Sequence, residues 1–184
     1  MLAAGAGSRF VASGGDGPKP LVEVSGVPVV DRVLDAALGA GLDEVVLVDG
    51  STDLSDRATP QVVVLHNEAW ADGIATSLQV AVAHARAAGH DAIIIGLADQ
   101  PGITAAAWRD VATAAAEPPI AVATYAGRRG NPVRLGAAVW DLLPTTGDEG
   151  ARRLMRERPD LVREVPCTGE PWDIDTVEDL ERWS

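Results

Sequence analysis

Cysteine, single-ring aromatics and positive charge are all scarce in this sequence: among 184 residues there is one Cys, one Phe and one Tyr, and 15 Lys and Arg stand against 27 Asp and Glu. The lone Cys167 excludes an intramolecular disulfide and a thiolate-built zinc centre, so nothing asks for an oxidising compartment. A formal net charge of -12 excludes a phosphate-tracking nucleic-acid surface, which needs a basic stripe. Any polyphosphate ligand must then be gripped by a local cluster of cations. No apolar run reaches the length of a membrane span and no basic segment followed by an apolar run opens the chain, so neither membrane insertion nor secretion is expected and the cytoplasm is the natural compartment. His66, His84 and His90 are scattered, without metal-ligand spacing.

What is present is an α/β pattern. Short β-branched runs at residues 44–48, 62–65, 92–97 and 120–124 alternate with helical segments. They are apolar on both faces, as parallel strands covered by helices are. Val30, Val33, Leu34, Ala37 and Leu38 form a helix stripe ending near Gly39 and Gly41, and Ile74, Leu78, Ala81, Val82 and Ala85 repeat it. A third helix is expected from Ala105 to Ala116, with Thr104 as its N-cap and Pro118-Pro119 beyond its end. Residues 127–132 and 144–150 read as loops around a short helix at 138–143. Residues 149–157 read as a solvated helix face, and Trp108, Trp140 and Trp183 as packing residues. No Ser-rich linker or repeat divides the chain, so one domain over residues 1–184 is expected. Only Met1, Leu2 and Ala3 precede the first glycine turn, so the opening strand reads as truncated.

Three places carry chemistry. Residues 4–17 are glycine-dense and hold Gly5, Gly7, Ser8 and Arg9, with Lys19 just beyond. Small residues let backbone N–H groups approach phosphate oxygens, while Arg9 and Lys19 supply positive charge. Such a loop is also compatible with a mobile surface turn. It fits neither the dinucleotide fingerprint, which needs a third glycine, nor the Walker loop, which needs Gly-Lys-Ser or Gly-Lys-Thr. Asp99 follows the run 93–97 and precedes Gln100-Pro101, at the carboxyl edge where parallel sheets bind ligands. Asp173 and Asp175 flank Ile174 and would share one side of an extended segment. Magnesium takes one or two carboxylates and leaves the rest of its shell to water and phosphate. Asp99 with one of the pair would suffice, although Thr176 with Asp179 equally resembles a helix cap.

Together these places resemble the MobA-like NTP transferases, through Leu2-Ala3-Ala4-Gly5, Arg9, Lys19, Leu97-Ala98-Asp99-Gln100-Pro101 and Asp173-Ile174-Asp175-Thr176. Within them the chain looks most like the molybdenum cofactor cytidylyltransferases, through residues 67–73 with Ser77 and Leu78, 127–132 and 147–152. The resemblance implies a three-layer α/β/α sandwich with a mostly parallel, Rossmann-like sheet of the nucleotide-diphospho-sugar transferase type. It implies transfer of CMP from CTP to molybdopterin or molybdenum cofactor with release of pyrophosphate. Lys19, Arg9 and Asp99 become the catalytic residues, and Asp99 and Asp175 the ligands of Mg2+. Nucleotide contacts fall to Leu2, Ala3, Ala4, Gly5, Gly7, Ser8, Lys19, Gly73, Ser77 and Asp99. Acceptor contacts fall to Arg129, Gly130, Asn131 and Asp148.

Ala4, where guanylyltransferase relatives carry a second glycine, implies CTP over GTP. A molybdenum hydroxylase apoenzyme is the implied protein partner. Two departures stand out: the spacing from Arg9 to Lys19 is longer than in relatives, and Asn131 stands where they commonly carry His. The same resemblance leaves two alternatives, an NAD(P)H oxidoreductase labelled for nicotine blue and a non-catalytic carrier of molybdenum cofactor.

Overall fold

A computed structural model of the chain describes residues 1–183. In chain order it contains α1 (Ser8–Ala12), β1 (Glu23–Val24), β2 (Val27–Pro28), α2 (Val29–Leu38), β3 (Val45–Asp49), β4 (Val62–His66), α3 (Ile74–Ala88), β5 (Ala92–Ile95), β6 (Gly102–Ile103), α4 (Ala105–Thr113), β7 (Ile120–Tyr125), β8 (Arg128–Gly136), α5 (Arg152–Glu157), β9 (Val162–Pro166), β10 (Gly169–Glu170) and α6 (Val177–Glu181).

Residues 1–4 join the two halves of the sheet. Leu2 makes parallel bridges to Val48 and to Leu97. Its N–H donates to Gly96 at 2.9 Å, while Ala3 donates to Val48 at 2.8 Å and Ala98 to Leu2 at 3.0 Å. The Met1 amino group donates to the Val46 carbonyl at 2.6 Å, and burial lowers its pKa to about 5. The sheet therefore runs β4, β3, residues 1–4, β5, β8, β7, β9. β8 is antiparallel to both neighbours, whereas β3 with β4 and β7 with β9 are parallel.

Alternation along β7 builds the layers, because successive side chains point to opposite faces. Ala121, Ala123 and Tyr125 pack with α2 and α4 through Val30, Val33, Leu34, Trp108 and Val111. Ile120 and Val122 pack on the other face with Leu78 and Val82 of α3, Trp140 and Met155. The result is the expected three-layer sandwich. Trp108 and Trp140 are 2% and 3% exposed, and Trp183 packs beside Val24, Val29 and Ile174. The Thr104 side chain accepts from Ala107 N–H and caps α4. That helix ends at Thr113, short of Ala116, where Arg134 donates to the carbonyls of Ala112, Ala114 and Ala115.

Two sequence expectations need correction. Residues 128–132 are strand rather than loop: Ala126 and Gly127, both with positive φ, make a two-residue turn that pairs Tyr125 with Arg128. The glycine-dense stretch also contains α1, whose Phe10 is 1% exposed. A Cβ at Gly15 would lie 2.2 Å from the Phe10 ring, so glycine there admits the aromatic side chain.

Candidate active site

The residues singled out from sequence converge at the carboxyl edge of the sheet. Lys19, on a single 3-10 turn, places Nζ 2.6 Å from Asp99 Oδ2 and 3.0 Å from Asp175 Oδ1. Its side chain is 14% exposed. Arg9 is ion-paired with the second oxygen of Asp175. Burial, the largest influence on Lys19, pulls its pKa down, but the charge of Asp99 and the hydrogen bonds from both carboxylates outweigh it and hold the ammonium above the usual lysine value.

Local backbone contacts account for this meeting. Ile174 N–H donates to the Asp99 carbonyl at 2.9 Å, which lays residues 173–175 beside the end of the strand carrying Asp99. Ile174 is fully buried, so Asp173 and Asp175 on either side are left toward the site. Gln100 fastens the same segment: its Nε2 donates to Asp173 Oδ1 at 2.7 Å and to the Pro171 carbonyl at 3.2 Å. Burial and the negative charge of Asp99 push Asp173 above the ordinary carboxylate range. The capping box at α6 is present as well. Asp179 accepts from Thr176 N–H at 3.0 Å and from Asp175 N–H at 3.2 Å, so the cap also fixes the backbone that carries Asp175.

A cavity of about 410 Å³ is lined by Leu2, Ala3, Ala4, Gly5, Gly7, Ser8, Lys19, Gly73, Ser77 and Asp99, all the residues assigned from sequence to the nucleotide. A Cβ at Gly5 would meet no protein atom within 4 Å, which leaves the backbone open to a ligand. At Gly7, with φ 62°, a Cβ would lie 2.8 Å from Lys19 Cβ, so this glycine lets the lysine stem pass. Asn67, buried, donates to Ser77 Oγ at 2.9 Å. That bond uses the hydroxyl as acceptor and leaves its proton for a ligand.

A larger cavity of about 1280 Å³ adjoins the first and shares Leu2, Ile74, Leu97, Asp99 and Asp148 with it. Arg9, Asp175, Arg129, Gly130 and Asn131 line it too. Asp99 thus stands at the junction of the two. Asp148 belongs to both because its loop is strapped to the start of α3, where Ala75 donates to Gly147 at 3.0 Å. Arg129 is paired with Glu164 at 2.8 Å. Asn131 Nδ2 donates to Gln100 Oε1 at 2.9 Å, which ties the acceptor-side strand to Asp173. Sequence reasoning missed Gln100 as this fastener, although it lies between the singled-out Asp99 and Pro101. It also missed Trp172, 57% exposed, with the Arg128 guanidinium 5.8 Å from its ring centre.

Asp99 Oδ1 is buried without a hydrogen-bond partner among the described residues. Such an oxygen, beside Asp175 and Asp173, makes an all-oxygen donor set suited to a hard divalent cation. Among the described residues no group of three or more His, Cys, Asp or Glu is arranged to hold a metal alone, so the rest of the shell would come from phosphate and water. The residues fit a magnesium-class ion.

The MobA-like NTP transferase domain family matches residues 1–162. The chain belongs to that family. It is similar to Rv0371c from Mycobacterium tuberculosis H37Rv, with 31% identity over 98% of this chain and 93% of that one and a TM-score of 0.81. A manganese complex of the same mycobacterial protein matches with 30% identity over 99% and 94% of the two chains and a TM-score of 0.78. A nucleotidyl transferase from Methanothermobacter thermautotroptrophicus matches with 26% identity over 98% and 92% and a TM-score of 0.81. None of the curated proteins matches the chain. As a MobA-like NTP transferase, the chain is a nucleotidyltransferase that uses a nucleoside triphosphate and a phosphorylated acceptor. No helix among the described residues is long and apolar enough to cross a membrane.

Proposed function

We propose that this nucleotidyltransferase moves CMP from CTP to the phosphate of molybdenum cofactor, with Mg2+ and release of pyrophosphate. The observation that carries the reading is Asp99 at the junction of two adjoining cavities, with Lys19 and Asp175 beside it. The smaller cavity suits a nucleotide, and the larger exceeds the usual range for small-molecule sites, which favours a bulky acceptor over a small sugar phosphate. Ala4 at the nucleotide wall supports CTP through the resemblance described above.

The reaction needs no protein nucleophile. An oxygen of the acceptor phosphate attacks the α-phosphorus of CTP, the bond to the bridging oxygen breaks, and pyrophosphate departs with the electron pair. Lys19 offsets charge that builds on the phosphate oxygens, and Arg9 offsets charge at the leaving end. Backbone N–H groups of residues 5–8 approach the triphosphate, while the Ser77 hydroxyl donates to the nucleoside. Asp99 and Asp175 would hold Mg2+. When bound, that ion neutralises the triphosphate and its leaving group; the manganese complex of the mycobacterial relative supports a divalent ion here.

The test is pyrophosphate release with each of the four NTPs, with Mg2+, in the presence and absence of molybdenum cofactor. The expected result is release that needs both CTP and the cofactor. Cofactor binding without release would favour a carrier, and NAD(P)H oxidation an oxidoreductase; either overturns the proposal.

A further inference from the structure

Both oxygens of Asp175 are already engaged by cations, Oδ1 by Lys19 and Oδ2 by Arg9. Asp99 gives Oδ2 to the same ammonium while Oδ1 stays buried and unpartnered. A divalent cation bound by both carboxylates needs oxygens that Lys19 holds, because direct metal–oxygen bonds of about 2.0–2.1 Å leave no room for an ammonium on the same lone pairs. Arg9 is a weaker obstacle, its side chain being 78% exposed.

We propose that Lys19 is a displaceable counter-ion of the carboxylate pair, so that nucleotide and divalent cation enter together, the triphosphate drawing the ammonium off Asp99 and Asp175. The inference rests on the nucleotidyl-transfer reading and adds a binding order to it. Phosphate oxygens are strong partners for ammonium and guanidinium groups, and they would lie in the cavity that Lys19 lines. The stem is anchored where Lys19 Cβ passes Gly7, and the four-carbon chain beyond lets Nζ turn from carboxylate to phosphate without backbone movement. Affinity for the metal alone is then low, because most molecules have their carboxylates occupied by the lysine.

Titration with Mn2+ alone, read by electron paramagnetic resonance of the free ion, tests this without turnover. Lys19→Met is expected to bind Mn2+ roughly tenfold tighter than the wild type or more, the factor for carboxylates free of the ammonium in about one molecule in ten. Lys19→Arg, which keeps the cation, is expected to stay near the wild type. Arg129→Met removes a charge that does not touch the carboxylates and is expected to change little. The proposal fails if Lys19→Met binds no tighter than the wild type, or if Arg129→Met tightens equally, since general charge would then explain the effect.

A second arm holds if Lys19→Met does not fold. In EDTA, equilibrium dialysis of CTP is expected to show several-fold tighter binding to Asp175→Asn, which releases both cations toward the triphosphate; equal or weaker binding contradicts the proposal. If the wild type binds no NTP with or without metal, the nucleotidyl-transfer reading fails, while the Mn2+ titration still reports on Lys19 separately.

Discussion

Lys19 Nζ and Asp99 Oδ2, eighty positions apart in the chain, lie 2.6 Å from each other. The lysine enters on the turn after the glycine-dense segment and the aspartate at the end of a sheet strand, so the pair closes only when the sheet is assembled. Replacing Lys19 with Ala removes a charge donor aimed at the phosphates. Turnover is expected to fall roughly 10²- to 10³-fold, about 2.7–4 kcal/mol in transition-state stabilisation, with the fold retained by circular dichroism. Unchanged turnover would remove Lys19 from the chemistry.

Gly5 and Gly7 should separate ligand space from backbone strain. At Gly7, φ is 62° and an added Cβ meets Lys19, so Gly7→Ala is expected to cost about 1–2 kcal/mol in stability and to lower turnover by moving the lysine. Gly5→Ala meets no protein atom and is expected to leave the denaturant midpoint unchanged while weakening CTP binding. Equal effects of the two on stability would refute this division.

Asp179 serves the site through the backbone. It accepts from the N–H groups of Asp175 and Thr176, and Asp179→Ala is expected to cost about 0.5–2 kcal/mol as a lost cap. The same change should raise the divalent-ion concentration needed for half-maximal activity. A variant that loses stability but keeps the wild-type metal requirement would confine Asp179 to the cap.

Glu44 gives a pH-dependent test away from the site. It accepts from His84 and His90, at 3.0 and 3.1 Å to one oxygen. Burial pulls its pKa up, but the two histidine hydrogen bonds together pull it below 4.5. A depressed carboxylate contributes stability that is present above its unfolded pKa and is lost as pH falls through the folded one. Glu44→Gln is therefore expected to melt below the wild type at about pH 5, with the gap closing by about pH 3. A gap that does not change over that range would show that the charge contributes nothing.

The sequence made the centre of the site readable and its fastenings unreadable. Asp99, Lys19 and the Asp173–Asp175 pair announce themselves because each breaks a local pattern: a carboxylate ending an apolar run, a cation after glycines, two acids around one apolar residue. β8 does not, because Arg128, Arg129, Gly130 and Pro132 carry no strand period, and the turn that returns it places Ala126 in a conformation that composition does not signal. Histidines that look scattered meet because α3 and the loop after it bring His84 and His90 to Glu44. Gln100 was equally silent, since its three hydrogen bonds reach residues 31 to 73 positions away.

The central claim is that Asp99, at the boundary of the two cavities, serves transfer from nucleotide to acceptor. Mass spectrometry of the acceptor after incubation with CTP, Mg2+ and molybdenum cofactor tests it most directly, comparing the wild type with Asp99→Asn. The account expects the acceptor to gain one CMP with the wild type, and no gain with a folded Asp99→Asn protein at any metal concentration. An acceptor modified equally by both would contradict it.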